Sequence, residues 1–92
     1  MSVALRIGAG VHARRFGDEV VVIDVRRGVY FSLNEVGSFV WQEVVAGASL
    51  DAVVAAVVAA FAVADTTARN DVEALVEELV AARLVERSSG AL

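Results

Sequence analysis

The side chains that could do chemistry are few and scattered. His12 is the only histidine and there is no cysteine, so neither a histidine cluster nor a thiolate set can hold a metal, because metal ligands come in groups. A lone surface imidazole is the simpler reading of His12. No serine stands in the Gly-x-Ser-x-Gly pattern that raises a nucleophile on a strand-to-helix turn. Glu73 and Glu77, four residues apart on a helical stretch, repel each other modestly. They read as a solvated acidic face, with a partner-docking face as the alternative. Ala9-Gly10 and the other glycines build no phosphate-cradling loop. Phe39 and Trp41 belong in the core of so small a chain rather than in a ligand box. With no catalytic constellation, metal set or cofactor cradle, the expectation is a binding module that is not an enzyme and needs no cofactor.

What remains is the chemistry of the backbone, concentrated at Gly28-Val29-Tyr30-Phe31-Ser32-Leu33-Asn34. This stretch reads as a β-strand that opens on a turn glycine and closes on a helix cap. The β-branched run Glu19 to Arg26 precedes it as a hairpin partner, and only helical patterns follow. A strand with one neighbour keeps a row of unpaired N–H and C=O groups, which is a liability unless capturing another strand is its purpose.

The elements that must position this edge can be read in order. Residues 1–10 lack a clear period and are expected as a loose arm. Val11 to Phe16 is a possible first strand, followed by the tight-turn pair Gly17-Asp18. For the second hairpin, a three-residue loop of Arg26-Arg27-Gly28 pairs Ile23 with Phe31 and Val21 with Leu33. That register puts the large apolar side chains on one face, so it is preferred over a two-residue loop. Either loop makes Tyr30 and Ser32 the residues whose backbone groups turn outward.

Asn34 caps a first helix that Gly47 ends, with Val36, Phe39, Val40 and Val44 on its apolar stripe. Ser49 caps a second, whose stripe is Leu50, Val53, Val54, Val57, Val58 and Phe61. Asp65, Thr66 or Thr67 caps a third, with Val72, Leu75, Val76, Leu79 and Val80 on one side. Leu84-Val85 returns to the core, and residues 88–92 are expected to fray. The fold class is therefore α+β, a three-stranded antiparallel sheet followed by three helices. It is close to a winged helix-turn-helix, with residues 1–92 as a single domain.

Composition narrows the partners. At 58% hydrophobic and 22% charged residues, the chain is a folding sequence and not a disordered one. All eight cations are arginines against twelve acids, for a net charge of -4, which opposes nucleic acid and anionic membrane surfaces as partners. The longest uncharged run, residues 52–64, is thirteen residues, short of the ~20 a membrane helix needs. By elimination a soluble, cytoplasmic protein is expected.

The string DVRRGVYFSLNEVGSFVW, Asp24 to Trp41, resembles the PqqD-like family, the recognition elements that bind leader peptides in ribosomal peptide-natural-product pathways. The matching parts are Asp24, Gly28, Tyr30-Phe31, Leu33-Asn34 and Val40-Trp41. Gly47-Ala48-Ser49 and Asp71-Val72 through Leu75, Leu79 and Leu84-Val85 continue the pattern, so the likeness spans roughly residues 11–86. The run is most similar to stand-alone members of lasso-peptide pathways, with pyrroloquinoline-quinone and other radical-enzyme systems as alternatives. The resemblance implies that a precursor's leader segment adds as an antiparallel strand beside the third strand, with its apolar side chains entering a groove against the third helix. The contacts it implies fall on Val29, Tyr30, Phe31, Ser32 and Leu33, and on Val72, Leu75, Val76, Leu79, Val80 and Arg83. The partners it implies are that precursor peptide and a maturation enzyme such as a leader peptidase, a cyclase or a radical SAM protein. Arg83 departs from the pattern, where many relatives carry glycine, so the end of the third helix is expected to differ.

Two other functions compete. A winged-helix DNA-binding protein needs a basic recognition helix, yet the third helix sets Arg69 against Asp71, Glu73, Glu77 and Glu78. A homodimeric scaffold would pair its edge strand with a second copy, and a monomer or weak homodimer is compatible with peptide capture.

Overall fold

The computed structural model describes residues 4–88. Its elements are β1 (Ala4–Ile7), β2 (Val11–Phe16), β3 (Glu19–Asp24), β4 (Val29–Leu33), α1 (Glu35–Val45), α2 (Leu50–Phe61), α3 (Asp65–Ala81) and β5 (Val85–Ser88). The expected three-stranded antiparallel sheet is present in the order β2-β3-β4, and the three helices follow it.

Two expectations at the ends of the chain are corrected. Ala4–Ile7, expected within a loose arm, forms a strand, and it pairs antiparallel with β5 from Ala4↔Ser88 to Ile7↔Val85. Leu5 and Val85 are both buried, so this second, two-stranded sheet closes the base of the core. Neither segment has a period long enough to be read alone; each is a strand because the other pairs with it. Ser88, expected to fray, is the last residue of β5, and the rest of that tail lies outside the described residues.

The second hairpin differs from the expected register. Asp24 lies opposite Val29, Val22 opposite Phe31 and Val20 opposite Leu33, leaving a four-residue loop, residues 25–28. The reason is Asp24. Its Oδ1 accepts from the N–H groups of Arg26 at 3.0 Å and Arg27 at 3.3 Å, and its carbonyl accepts from Gly28 N at 2.9 Å. Gly28 takes the left-handed conformation, φ 70°, that closes such a loop. The carboxylate is thus satisfied although Asp24 is only 3% exposed, so an acidic residue stands on the core face and Val25 is left out in the loop. Because Val20 to Ile23 are all apolar, patterning could not distinguish the two registers.

Helix ends follow their sequence signals except at α3. Asn34 Oδ1 accepts from Gly37 N at 2.8 Å and Ser49 Oγ from Ala52 N at 3.3 Å, as expected of these caps. The third helix begins one residue earlier than its cap candidates, with Ala64 at the N-cap and no side-chain hydrogen bond there. The core joins Val20, Val22 and Leu33 of the sheet to Val40, Trp41 and Val44 of α1, Val53, Val54 and Val57 of α2, and Val72, Val76 and Leu79 of α3. The alanine face of α2, at Ala52, Ala55 and Ala59, is exposed.

Candidate functional site

Both outer strands of the larger sheet are unpaired on one side among the described residues, and their side chains tell them apart. Strand β2 carries His12, Arg14 and Arg15, the kind of charge that discourages further strand pairing. Strand β4 is Val-Tyr-Phe-Ser-Leu with no ionisable group but the Tyr30 phenol. Of the two, β4 is the edge suited to receive a strand.

The direction of its backbone groups follows from the hairpins. The two-residue loop Gly17-Asp18 closes on the pair Phe16↔Glu19, a hydrogen-bonded pair in such turns. Alternation then directs Glu19, Val21 and Ile23 toward β2, and Val20, Val22 and Asp24 toward β4. Their partners Leu33, Phe31 and Val29 bond inward, so Tyr30 and Ser32 direct their N–H and C=O groups to the open side. The corrected register changes every partner but leaves this alternation as expected. The side chains of Val29, Phe31 and Leu33 share the face of buried Val20 and Val22, turned toward the helices. Tyr30, 72% exposed, and Ser32 lie on the opposite face.

Beside this edge is a cavity of about 330 Å3 lined by Phe31, Ser32, Leu33, Asn34, Val36, Gly37, Asp71 and Leu75. Strand β4 supplies one wall, the first turn of α1 the floor, and α3 the other wall. A Cβ on Gly37 would stand 3.3 Å from both the Leu33 side chain and Asn34 Oδ1, so the glycine allows α1 to start tight against β4. The cap at Asn34 therefore both starts α1 and shapes the cavity.

The sequence-derived site residues separate into groups. Phe31, Ser32, Leu33 and Leu75 meet at the cavity, and Val29 and Tyr30 extend the same strand. Val72, Val76 and Leu79, by contrast, are fully enclosed in the core, where they support α3 from behind. Arg69 reaches α2 through a 3.1 Å ion pair with Asp51. Val80, eleven residues on, returns to that same flank, away from the cavity. The groove side of α3 is instead the stripe Asp71, Leu75, Glu78 and Ala82, of which Asp71 and Leu75 line the cavity. Asp71, Asn34, Val36 and Gly37 were not foreseen as site residues; the i,i+4 spacing of Asp71 and Leu75 was the one available signal.

Arg83 stands at the far end of the groove, just beyond α3. The helix closes there with Arg83 N donating to Val80 O and Leu84 N to Leu79 O, both 2.9 Å, and Arg83 at φ 62°. Helix α1 ends with the same pair of bonds at Gly47 and Ala48. The departure from glycine thus leaves the helix end unaltered in form and places its cost in the left-handed backbone of Arg83. Arg27, from the β3–β4 loop, reaches to 3.5 Å from the Ala82 carbonyl, so β4 and α3 run antiparallel along the groove.

Comparison with known proteins bears on the family and the fold. A family model described as coenzyme PQQ synthesis protein D (PqqD) matches residues 19–85. Among curated proteins no match is found. A solved structure described as TbiB1 in complex with the TbiA(beta) leader peptide is similar at 29% identity and a TM-score of 0.84, over 95% of this chain and 98% of that one. Another, lasso peptide synthetase B1 complexed with the leader peptide, shares the fold at 24% identity and a TM-score of 0.81, over 89% of this chain and 96% of that one. With the family match running from β3 through α3 to the first residue of β5, the chain belongs to the PqqD family.

Proposed function

We propose that this protein is a non-catalytic recognition element that binds the leader segment of a ribosomally made precursor peptide and presents it to a maturation enzyme. The leader adds as an antiparallel strand to β4, held by the backbone groups of Tyr30 and Ser32. The observation that carries this reading is the uncharged free edge of β4 lying directly against an apolar-walled groove at Phe31, Leu33 and Leu75. Main-chain bonds along such an edge give affinity, and pockets for alternate side chains give specificity. Leader residues opposite Leu33, Phe31 and Val29 face α3, while those opposite Ser32 and Tyr30 face outward with them. The leader peptide bound in the TbiB1 structure supports the ligand class, and the resemblance of the Asp24–Trp41 run to stand-alone lasso-pathway members favours a leader peptidase or cyclase as recipient.

DNA binding is disfavoured by Asp71 and Glu78 on the face that would meet phosphate. A second copy of the chain would compete for the same edge, so leader binding and edge-to-edge dimerisation exclude each other. The test is a fluorescence titration of precursor leader peptides with wild type, Leu75→Glu and Val80→Ala. Leu75→Glu is expected to weaken binding about tenfold or more, since it replaces an apolar groove contact with a charge. Val80→Ala is expected to bind as wild type, lying on the α2 flank. Equal binding by wild type and Leu75→Glu would refute the groove as the site.

A further inference from the structure

The two ends of the groove differ in charge. At the end by Leu33 and Asn34, Asp71 lines the cavity wall and has no cation within ion-pair distance among the described residues. The dipole of α1 at this end is already offset by Glu35 in its first turn and by the Asn34 cap. At the opposite end, by Val29, stand Arg27, within 3.5 Å of the Ala82 carbonyl, and exposed Arg83. Glu78 faces the groove one turn before this end. The buried Asp24 carboxylate opposite Val29 is turned into its own loop by the N–H groups of Arg26 and Arg27, which leaves the Arg27 and Arg83 side chains as the charges at the groove mouth. From Val29 to Leu33 the strand covers about 13 Å, longer than the ~8 Å screening length at physiological ionic strength. Each end therefore acts on a ligand through its own local charge and not through the net charge of the protein.

We infer that the captured peptide is polarised in the opposite sense. It carries a lysine or arginine where it enters beside Asp71, an apolar residue over Phe31 and Leu75, and an aspartate or glutamate where it leaves past Val29 toward Arg27 and Arg83. The inference rests on strand addition at β4, because a strand antiparallel to β4 runs from the Asp71 end to the Arg83 end and so fixes which terminus carries which charge. Charge thereby sets direction and register, which two outward-facing residues, Tyr30 and Ser32, cannot do alone.

The test is selection of a displayed library of random twelve-residue peptides on the intact protein, followed by titration of synthetic winners. Winners are expected to enrich cations on the N-terminal side of the apolar anchor and acids on its C-terminal side. Selection on Asp71→Lys should exchange the N-terminal cation for an acid, and selection on Arg27→Glu with Arg83→Glu should exchange the C-terminal acid for a cation. A winner resynthesised with its end charges swapped should bind about tenfold more weakly in dilute buffer, with the gap closing at ~1 M salt. Winners that lose binding to Ser32→Pro but show no charge bias, or the reverse bias, overturn the polarity and leave strand addition standing. Winners indifferent to Ser32→Pro, or no enrichment at all, overturn strand addition and the polarity with it.

Discussion

Replacing Ser32 by proline separates the role of the β4 edge in binding from its role in the fold. The Ser32 N–H faces the open side, so its loss removes no bond to β3, and an edge strand tolerates proline there. Its neighbour Phe31 is already extended, as a residue before proline must be. Stability is expected to fall by no more than about 1 kcal/mol, a shift of under ~8 °C in Tm for a chain of this size. Binding responds differently. Tyr30 and Ser32 offer two N–H and two C=O groups to an added strand, so the substitution removes one of at most four bonds and leaves a ligand carbonyl without its donor. An unsatisfied group of that kind costs about 1–3 kcal/mol, or roughly 5- to 150-fold in Kd. Phe31→Pro inverts the pattern. It breaks a bond to Val22 in the middle of the sheet and deletes a half-buried ring, costing about 3 kcal/mol or more and ~12–24 °C in Tm. Ser32→Ala, which keeps the N–H, should match wild type in both. Calorimetric titration with a leader peptide and parallel thermal melts measure each quantity. A folded Ser32→Pro protein that binds as tightly as wild type refutes strand addition at this edge.

Three predictions concern the scaffold. Arg83→Gly is expected to stabilise the protein by about 1 kcal/mol by relieving the left-handed backbone at the end of α3, seen as a Tm rise of ~4–8 °C; a fall would contradict that account of the helix end. Asp24→Ala should cost about 2 kcal/mol by removing the acceptor for Arg26 and Arg27 N–H, whereas Asp24→Asn, which keeps an oxygen, should lose less than half of that in urea unfolding. Ala64→Ser should add ~1 kcal/mol by supplying the side-chain cap that α3 lacks, with unchanged helicity by circular dichroism.

The order of strands and helices was legible wherever a single segment carried its own signal. Asn34 and Ser49 cap helices because their side-chain oxygens act within three residues, and Gly17-Asp18 turns because its geometry is local. The alternation that turns Tyr30 and Ser32 outward survived a wrong loop length, because one residue of slip in β3 changes its partners while β4 still bonds through Val29. What the linear chain could not carry were choices made between distant segments. Ala4–Ile7 and Val85–Ser88 are strands only in each other's company. The hairpin register was decided by the Asp24 carboxylate, since an unbroken apolar run offers two equally greasy faces and only the folded loop supplies the N–H groups that make a buried acid tolerable. The groove wall was decided in the same way. Val72, Leu75, Val76, Leu79 and Val80 form one apolar band in sequence, too wide for a single contact. Packing against the sheet and α2 consumed Val72, Val76 and Leu79, left Val80 on the α2 flank, and gave Leu75 with Asp71 to the open side, because a helix wedged between two neighbours can offer a ligand only the flank that neither covers.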